Sequence, residues 1–186
     1  MSVMKTTCLA LLATAAVSSA GILNFSGDTA GGPTWNRPVA GNPPVPPPSG
    51  VGTAVPYQVT QIYVTANGSY DFLAVGVNPA GWDNYSFLYE NGFNPATPFA
   101  NVLIGNDDFP NIGLTGFSRN LTVGTDYFYV QTGFGNADSG AYNLTISGQG
   151  DIFIVPEPGQ IALMALTGLG ALGYAGRNWL RRRQQP

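Results

Sequence analysis

Between Tyr57 and Gly148 the chain reads as a series of short segments, several with apolar residues at every second position, and no stretch there shows a helical repeat. Period two is the spacing of a strand with one buried and one wetted face, so this span is constrained to β-structure. The clearest strand places Tyr142, Leu144 and Ile146 on one side and Asn143, Thr145 and Ser147 on the other. Tyr85, Phe87 and Tyr89 share a face opposite Ser86 and Leu88, and Phe117, Leu121 and Val123 share another phase. Tyr70 to Val77 is apolar on both sides, as in a central strand covered on both faces. Tyr57 and Val59 alternate out of phase with Ile62 and Val64, which predicts a bulge or a break into two short strands at Gln61. Asn67-Gly68 has the composition of a tight hairpin turn, and Asn78-Pro79-Ala80-Gly81 and Gly124-Thr125 also turn the chain. The fold class that follows is all-β, an antiparallel β-sandwich.

The order of these segments carries a resemblance. Tyr70-Asp71-Phe72, Trp82-Asp83-Asn84 with the strand to Tyr89, Asn106-Asp107-Asp108, Leu121 to Val130, and Ser139 to Leu144 together resemble the bacterial pre-peptidase C-terminal domain. That family implies a small jelly-roll-like sandwich, found beside secreted hydrolases and in surface proteins. In some of its members acidic loops bind calcium, and others bind polymers such as collagen.

Residues 21–56 read differently. Pro33, Pro38, Pro43, Pro44, Pro46, Pro47 and Pro48 fall within one short glycine-containing stretch. Proline removes backbone donors and fixes φ, so the stretch is expected to be extended spacer outside the domain, with a ligand for a partner groove as the alternative. Ile22 to Ser26 could fold back as an edge strand. The sandwich itself is expected over residues 57–150.

Both ends of the chain read as targeting segments. Lys5 precedes an apolar run from Cys8 to Val17 that is too short to span a bilayer, and Ser18-Ser19-Ala20 supplies small residues for cleavage between Ala20 and Gly21. Residues 1–20 are therefore expected to be a secretory signal peptide. Cys8 opens the apolar run, whereas a lipobox cysteine follows it. At the other end, residues 151–186 contain Val155-Pro156-Glu157-Pro158, an uncharged apolar run from Ile161 to Ala175, and the basic residues Arg177, Arg181, Arg182 and Arg183. Extended to Leu180, the run makes a helix of about 30 Å, long enough to cross a membrane. Arg177 would snorkel to the interface, and the Arg cluster would stay cytoplasmic, placing the body outside. The physics permits a plain single-span anchor. The order of motif, helix and Arg cluster resembles the PEP-CTERM sorting signal of Gram-negative bacteria. That resemblance implies an exosortase as partner, cleavage near Pro156-Glu157-Pro158, and association with exopolysaccharide in a biofilm.

Charge and residue types narrow the chemistry. From Gly21 to Val155 there are two basic residues, Arg37 and Arg119, against nine acidic ones, and neither His nor Cys. So acidic a body repels nucleic acid. It cannot assemble a Ser-His-Asp or Cys-His nucleophile, nor a His- or Cys-ligated zinc site. A glycosidase-type carboxylate pair is conceivable from Glu90 with Asp83 or Asp108, although a small sandwich offers little room for a groove, and the chain is expected not to be an enzyme. Asn106, Asp107 and Asp108 form either a calcium site, with Asp83, Asn84 or Asp138 from neighbouring loops, or an Asx-turn bonded to its own backbone. The Asx-turn is the simpler expectation, so no metal ligand or cofactor is assigned from sequence. Trp82 is expected in the core, with an exposed sugar platform as the alternative. Sequons at Asn24, Asn67, Asn84, Asn120 and Asn143 carry little weight in a chain rich in Asn, Ser and Thr. Two functions follow: an exported, non-enzymatic surface or matrix protein, or a secreted module that binds a polysaccharide or peptide polymer.

Overall fold

The structure, a computed structural model, describes residues 20–155. Ten strands run in order: β1 (Gly21–Asp28), β2 (Thr34–Trp35), β3 (Val55–Val64), β4 (Gly68–Asn78), β5 (Asn84–Glu90), β6 (Val102–Asn106), β7 (Leu114–Leu121), β8 (Tyr127–Gly133), β9 (Ala141–Gly148) and β10 (Ile152–Ile154). They form two antiparallel sheets, one ordered β1-β9-β4-β7 and the other β10-β3-β8-β5-β6 with β2 added on β3. The chain is an all-β sandwich.

The space between the sheets is filled by the alternating residues. Tyr142, Leu144 and Ile146 of β9, Tyr70, Phe72 and Ala74 of β4, Phe117 and Leu121 of β7, Ile62 and Val64 of β3, and Leu88 and Tyr129 make one buried cluster. Trp82 belongs to it too, as expected. Its indole Nε1 donates to the Ala141 carbonyl at 2.9 Å, so the one polar atom of the ring is paired.

The sandwich does not begin at Tyr57. Residue for residue, β1 pairs with β9 from Gly21↔Gly148 to Asp28↔Ala141, so the edge strand anticipated at Ile22–Ser26 forms and is longer. The proline-rich stretch then wraps the outer face of the β3-β8-β5-β6 sheet as a strap. Trp35 is buried there against Tyr57, Phe87 and Phe93, with ring centroids 5.3–5.6 Å apart. Prolines lack donors, but the residues between them do not. Arg37 N donates to Gly52 O, Ser49 N to Arg37 O, and Gly41 exchanges two backbone hydrogen bonds with Gly105 of β6. Composition predicted an open spacer because it counts prolines and misses the one tryptophan that has an aromatic face to cover. At the other end, β10 pairs with β3 through Ile152↔Val64 and Ile154↔Ile62, carrying the sheet past residue 150.

Two further expectations change. β3 is one regular strand with no bulge at Gln61, paired to β8 from Tyr57↔Thr132 to Ile62↔Tyr127. Its phase shift arises because Ile62 and Val64 face the other sheet while Tyr57 and Val59 face the strap. Asn67-Gly68 does not close a hairpin, since β3 and β4 lie in different sheets. That turn carries the chain across the core instead, and Asn67 Oδ1 accepts from Val123 N at 2.7 Å.

Ala20, Gly21 and Val155 fall among the described residues. Ala20 is exposed immediately before β1, and Val155 N donates to Gln61 O at 2.9 Å after β10. The remainder of the signal peptide, Pro156, Glu157, Pro158, the apolar run, Arg177 and Arg181 to Arg183 lie outside the described residues.

Candidate functional site

β5 and β6 are antiparallel neighbours, with Ser86↔Asn106 as the last pair toward one end of the sheet. The start of one strand therefore lies beside the end of the other. The loop entering β5 carries Asp83, and the loop leaving β6 carries Asp107 and Asp108. One carboxylate oxygen from each of these three residues lies within 4.8 Å of the others. Sequence reasoning had placed Asp83 among the partners of Asp107 and Asp108, and the structure brings these three together.

Both loops are pinned by their neighbours. Trp82 anchors the first through its buried indole, and Asp83 O accepts from Phe134 N at 2.9 Å. On the second, Asn106 Oδ1 accepts from Gly116 N at 3.3 Å, and Thr115 Oγ1 donates to Asn106 O at 2.9 Å. Asn106 thus bonds across to β7 and is not a member of the acidic cluster. Asp138 is also elsewhere engaged: its Oδ2 accepts from Gly135 N within its own loop. The Asx-turn expected at Asn106, Asp107 and Asp108 finds no support at Asp107 Oδ1, which accepts no hydrogen bond. Asp107 Oδ1, Asp83 Oδ1 and the Oδ1 of the fully buried Asn84 are withdrawn from solvent and accept no hydrogen bond.

Desolvation sets the electrostatics. Burial, reinforced by Asp108 and Asp83, raises the Asp107 carboxyl to about 6, and Arg37 offsets part of this. Asp83 is raised for the same reasons, burial first, then Asp108 and Asp138. Arg37, which sequence reasoning noted only as a rare basic residue, is almost wholly buried behind the cluster. Its guanidinium lies 3.9 Å from the centroid of the Tyr85 ring. Its donors go to the carbonyls of Gly133, Phe134 and Pro38 at 2.6–3.2 Å. Burial lowers its pKa, and the nearby Tyr85 and Asp107 act against that. Nothing in sequence flagged this role, because the strap that carries Arg37 read as a spacer.

Asp83, Asp107 and Asp108 thus present three carboxylates at one end of the β5-β6 pair. Two of them, Asp83 and Asp107, each have one oxygen withdrawn from solvent that receives no hydrogen bond. The other carboxylate pairings fail. Glu90 and Asp83 flank opposite ends of β5, a strand of seven residues that spans about 20 Å, beyond the roughly 9.5 Å limit for a glycosidase pair. Asp108 lies at the Asp83 end and is equally remote from Glu90.

No family model matches this chain, and no curated protein matches it in sequence. Among solved structures it is similar to the pre-peptidase C-terminal domain of collagenase from Bacillus anthracis. That match has 15% identity and a TM-score of 0.41, covering 68% of this chain and 89% of the other. A CBM35 from Cellvibrio japonicus Abf62 shows 12% identity and a TM-score of 0.36 over 72% of this chain and 99% of its own. The K1 cleaved adhesin domain of Lys-gingipain from Porphyromonas gingivalis W83 shows 14% identity and a TM-score of 0.35, over 71% and 99% respectively.

Proposed function

We propose that this chain is an exported, non-enzymatic surface or extracellular-matrix module, sorted and processed through its C-terminal segment by an exosortase and associated with exopolysaccharide. The observation that carries this reading is where the first and last strands of the described residues lie. β1 starts at Gly21, the first residue after the expected signal cleavage, and β10 ends at Ile154, just before Val155-Pro156-Glu157-Pro158. Cleavage at either point leaves both sheets of the described residues whole, which a processing signal attached to a folded cargo needs. Intact-mass measurement of protein from its native host tests the reading. The expected mass begins near Gly21 and lacks the residues beyond the Pro-Glu-Pro motif. Glu157→Ala should leave the helix and its flanking charges intact while blocking that processing. Normal processing of Glu157→Ala would remove the main support for a sorting signal.

A second reading, polymer binding, has its own support. A cleft of about 530 Å³ opens on the outer face of the β1-β9-β4-β7 sheet between Leu73 and Phe109, rimmed by Asp71, Ser118, Thr145 and Ser147. An exposed aromatic ring beside hydroxyl and carboxylate groups is the surface a sugar ring stacks on. A polysaccharide pull-down that retains the wild type and loses Phe109→Ala would favour this reading over a purely structural role.

A further inference from the structure

We infer that β1 is a docking edge for a second copy of this chain. The two first strands pair antiparallel about Asn24 and join one sheet from each molecule. Three observations meet on this strand.

The first is an open edge. The β1-β9-β4-β7 sheet ends on β1, and among the described residues no strand lies beyond it. Thr29 N donates to Gly140 O, which continues the β1–β9 register past Asp28↔Ala141. Odd-numbered residues of β1 therefore spend their backbone groups on β9, and Ile22, Asn24 and Ser26 turn theirs outward. Asp28 N also points outward, but it donates to Gln58 Oε1 at 3.0 Å, which closes the edge there. The Ser26 and Asn24 side chains are tied back to Asn143 and Thr145 of β9, so they do not screen the edge. The other edges are shielded. Gly41 of the strap bonds to Gly105 of β6, β7 carries Arg119 and has Asn106 Oδ1 on its Gly116 N–H, and β10 has only three residues. From Gly21 to Gly27, β1 has no Lys, no Pro and no bulge, the devices that keep an edge from pairing.

The second is register. With Asn24 opposite Asn24 of the second copy, Ser26 meets Ile22 and Ile22 meets Ser26. All three outward residues then find partners, and each pair exchanges both of its backbone hydrogen bonds. The same register sets Leu23 opposite Phe25 in the closer, non-bonded pairs. Both are half-buried at the rim of the core, and pairing covers their open sides. One patch serves both molecules, so the contact closes as a two-fold dimer.

The third is charge. From Gly21 to Val155, nine acidic residues against two basic ones make two bodies repel, yet Gly21 to Gly27 carries no charged side chain. Antiparallel pairing sets the Gly21 α-ammonium of each copy at the Asp28 end of the other, whereas parallel pairing brings Asp28 against Asp28. This third point rests on the expected cleavage after Ala20, which frees the ammonium.

The test is the oligomeric state of the full chain, expressed with its own signal peptide and purified in detergent. Light scattering over about 1–100 μM should show the wild type passing from monomer to dimer. Asn24→Cys places a thiol in a body without cysteine. Its two copies should crosslink under mild oxidation, because a bonded pair holds its Cα atoms about 5.5 Å apart, within disulfide reach. Asn143→Cys, exposed on the same face but one strand inward, should not crosslink. Asn24→Pro removes an N–H that β9 does not use, so the fold should stand while the dimer weakens about tenfold or more. Ile22→Lys, at an exposed position, serves the same purpose should Asn24→Pro fail to fold. Asp28→Asn should weaken the dimer a few-fold at low salt, and the difference should vanish at high salt. Intact mass of the same sample reports whether the chain begins at Gly21, so failed cleavage is told apart from failed pairing. A wild type that stays monomeric at about 100 μM overturns the inference. So does a dimer that survives both Asn24→Pro and Ile22→Lys, as one held by the apolar run from Ile161 to Ala175 would. A monomer whose Ile22, Asn24 and Ser26 amides resist hydrogen exchange also overturns it, because another segment then covers the edge.

Discussion

The two apolar clusters of this molecule are made in different ways. The cluster between the sheets draws on both, and its members sit two apart along their strands. The cluster under the strap is built on one sheet face, where Tyr85, Phe87, Tyr89, Val102 and Val130 are capped by Trp35, with Phe93 packed against them. A face of this kind would otherwise be a wetted outer surface. Its aromatic content makes sense only once a cover is present, and the cover comes from a distant, proline-rich part of the chain. The sheet-to-sheet core follows from local alternation, whereas the outer core depends on one long-range docking event.

That contrast sets the order of the expected effects. The largest belongs to the core between the sheets. Tyr142 is fully buried, and Tyr142→Asp puts a carboxylate there without a cationic partner, at a cost of several kcal/mol. Circular dichroism should find this variant unfolded at room temperature. Next comes the strap. Trp35→Ala removes the capping ring and leaves the Thr132 hydroxyl without its indole donor, and should cost about 3–5 kcal/mol. Urea denaturation would measure it, and a loss equal to that of Tyr142→Asp would mean the two clusters form one cooperative core.

The smallest effect is a pH dependence where the outer core meets the acidic loops. Burial pushes the Asp107 carboxyl up to about 6 in the folded state, above the ordinary carboxylate value of the unfolded chain. A raised carboxyl pKa means the folded state holds its proton more tightly. The penalty is then fully present above about pH 6 and is relieved as pH falls toward the unfolded value. The Asp107 contribution should raise the melting temperature near pH 5 relative to pH 7. Asp107→Asn should flatten that slope and raise the melting temperature at neutral pH. A pH slope between 5 and 7 that is the same in the wild type and Asp107→Asn would contradict this assignment of the penalty.

What sequence made legible follows the same division. β9 was visible because Tyr142, Leu144 and Ile146 each face the other sheet and their neighbours do not. β5 was visible as a strand, but all of Asn84 to Tyr89 is buried, so its two faces could not be ranked from spacing. The apparent break at Gln61 was a misread consequence of the same double burial. Asp83 was found as a partner for Asp107 because loop ends gather at the ends of a sandwich. Arg37 was not found, since one buried guanidinium among prolines has no periodic signature. Asn67-Gly68 misled because a turn composition specifies a reversal, not which sheet the chain enters next.

The pairing of β1 with β9 has a kinetic consequence. Thr145 Oγ1 donates to Asn24 Oδ1 across 121 positions of sequence, and every backbone pair of β1 is comparably distant. Trp35 likewise waits on β8, whose Thr132 lies 97 positions away. The first strand has no strand partner until nearly the whole body has been made. Contacts of such long sequence separation close slowly, because loop entropy is lost before any pairing compensates it. A chain that cannot complete its sheets from its leading end stays extended longest at that end. For a polypeptide threaded N-terminus first through a narrow channel, that delay keeps it in the form the channel accepts.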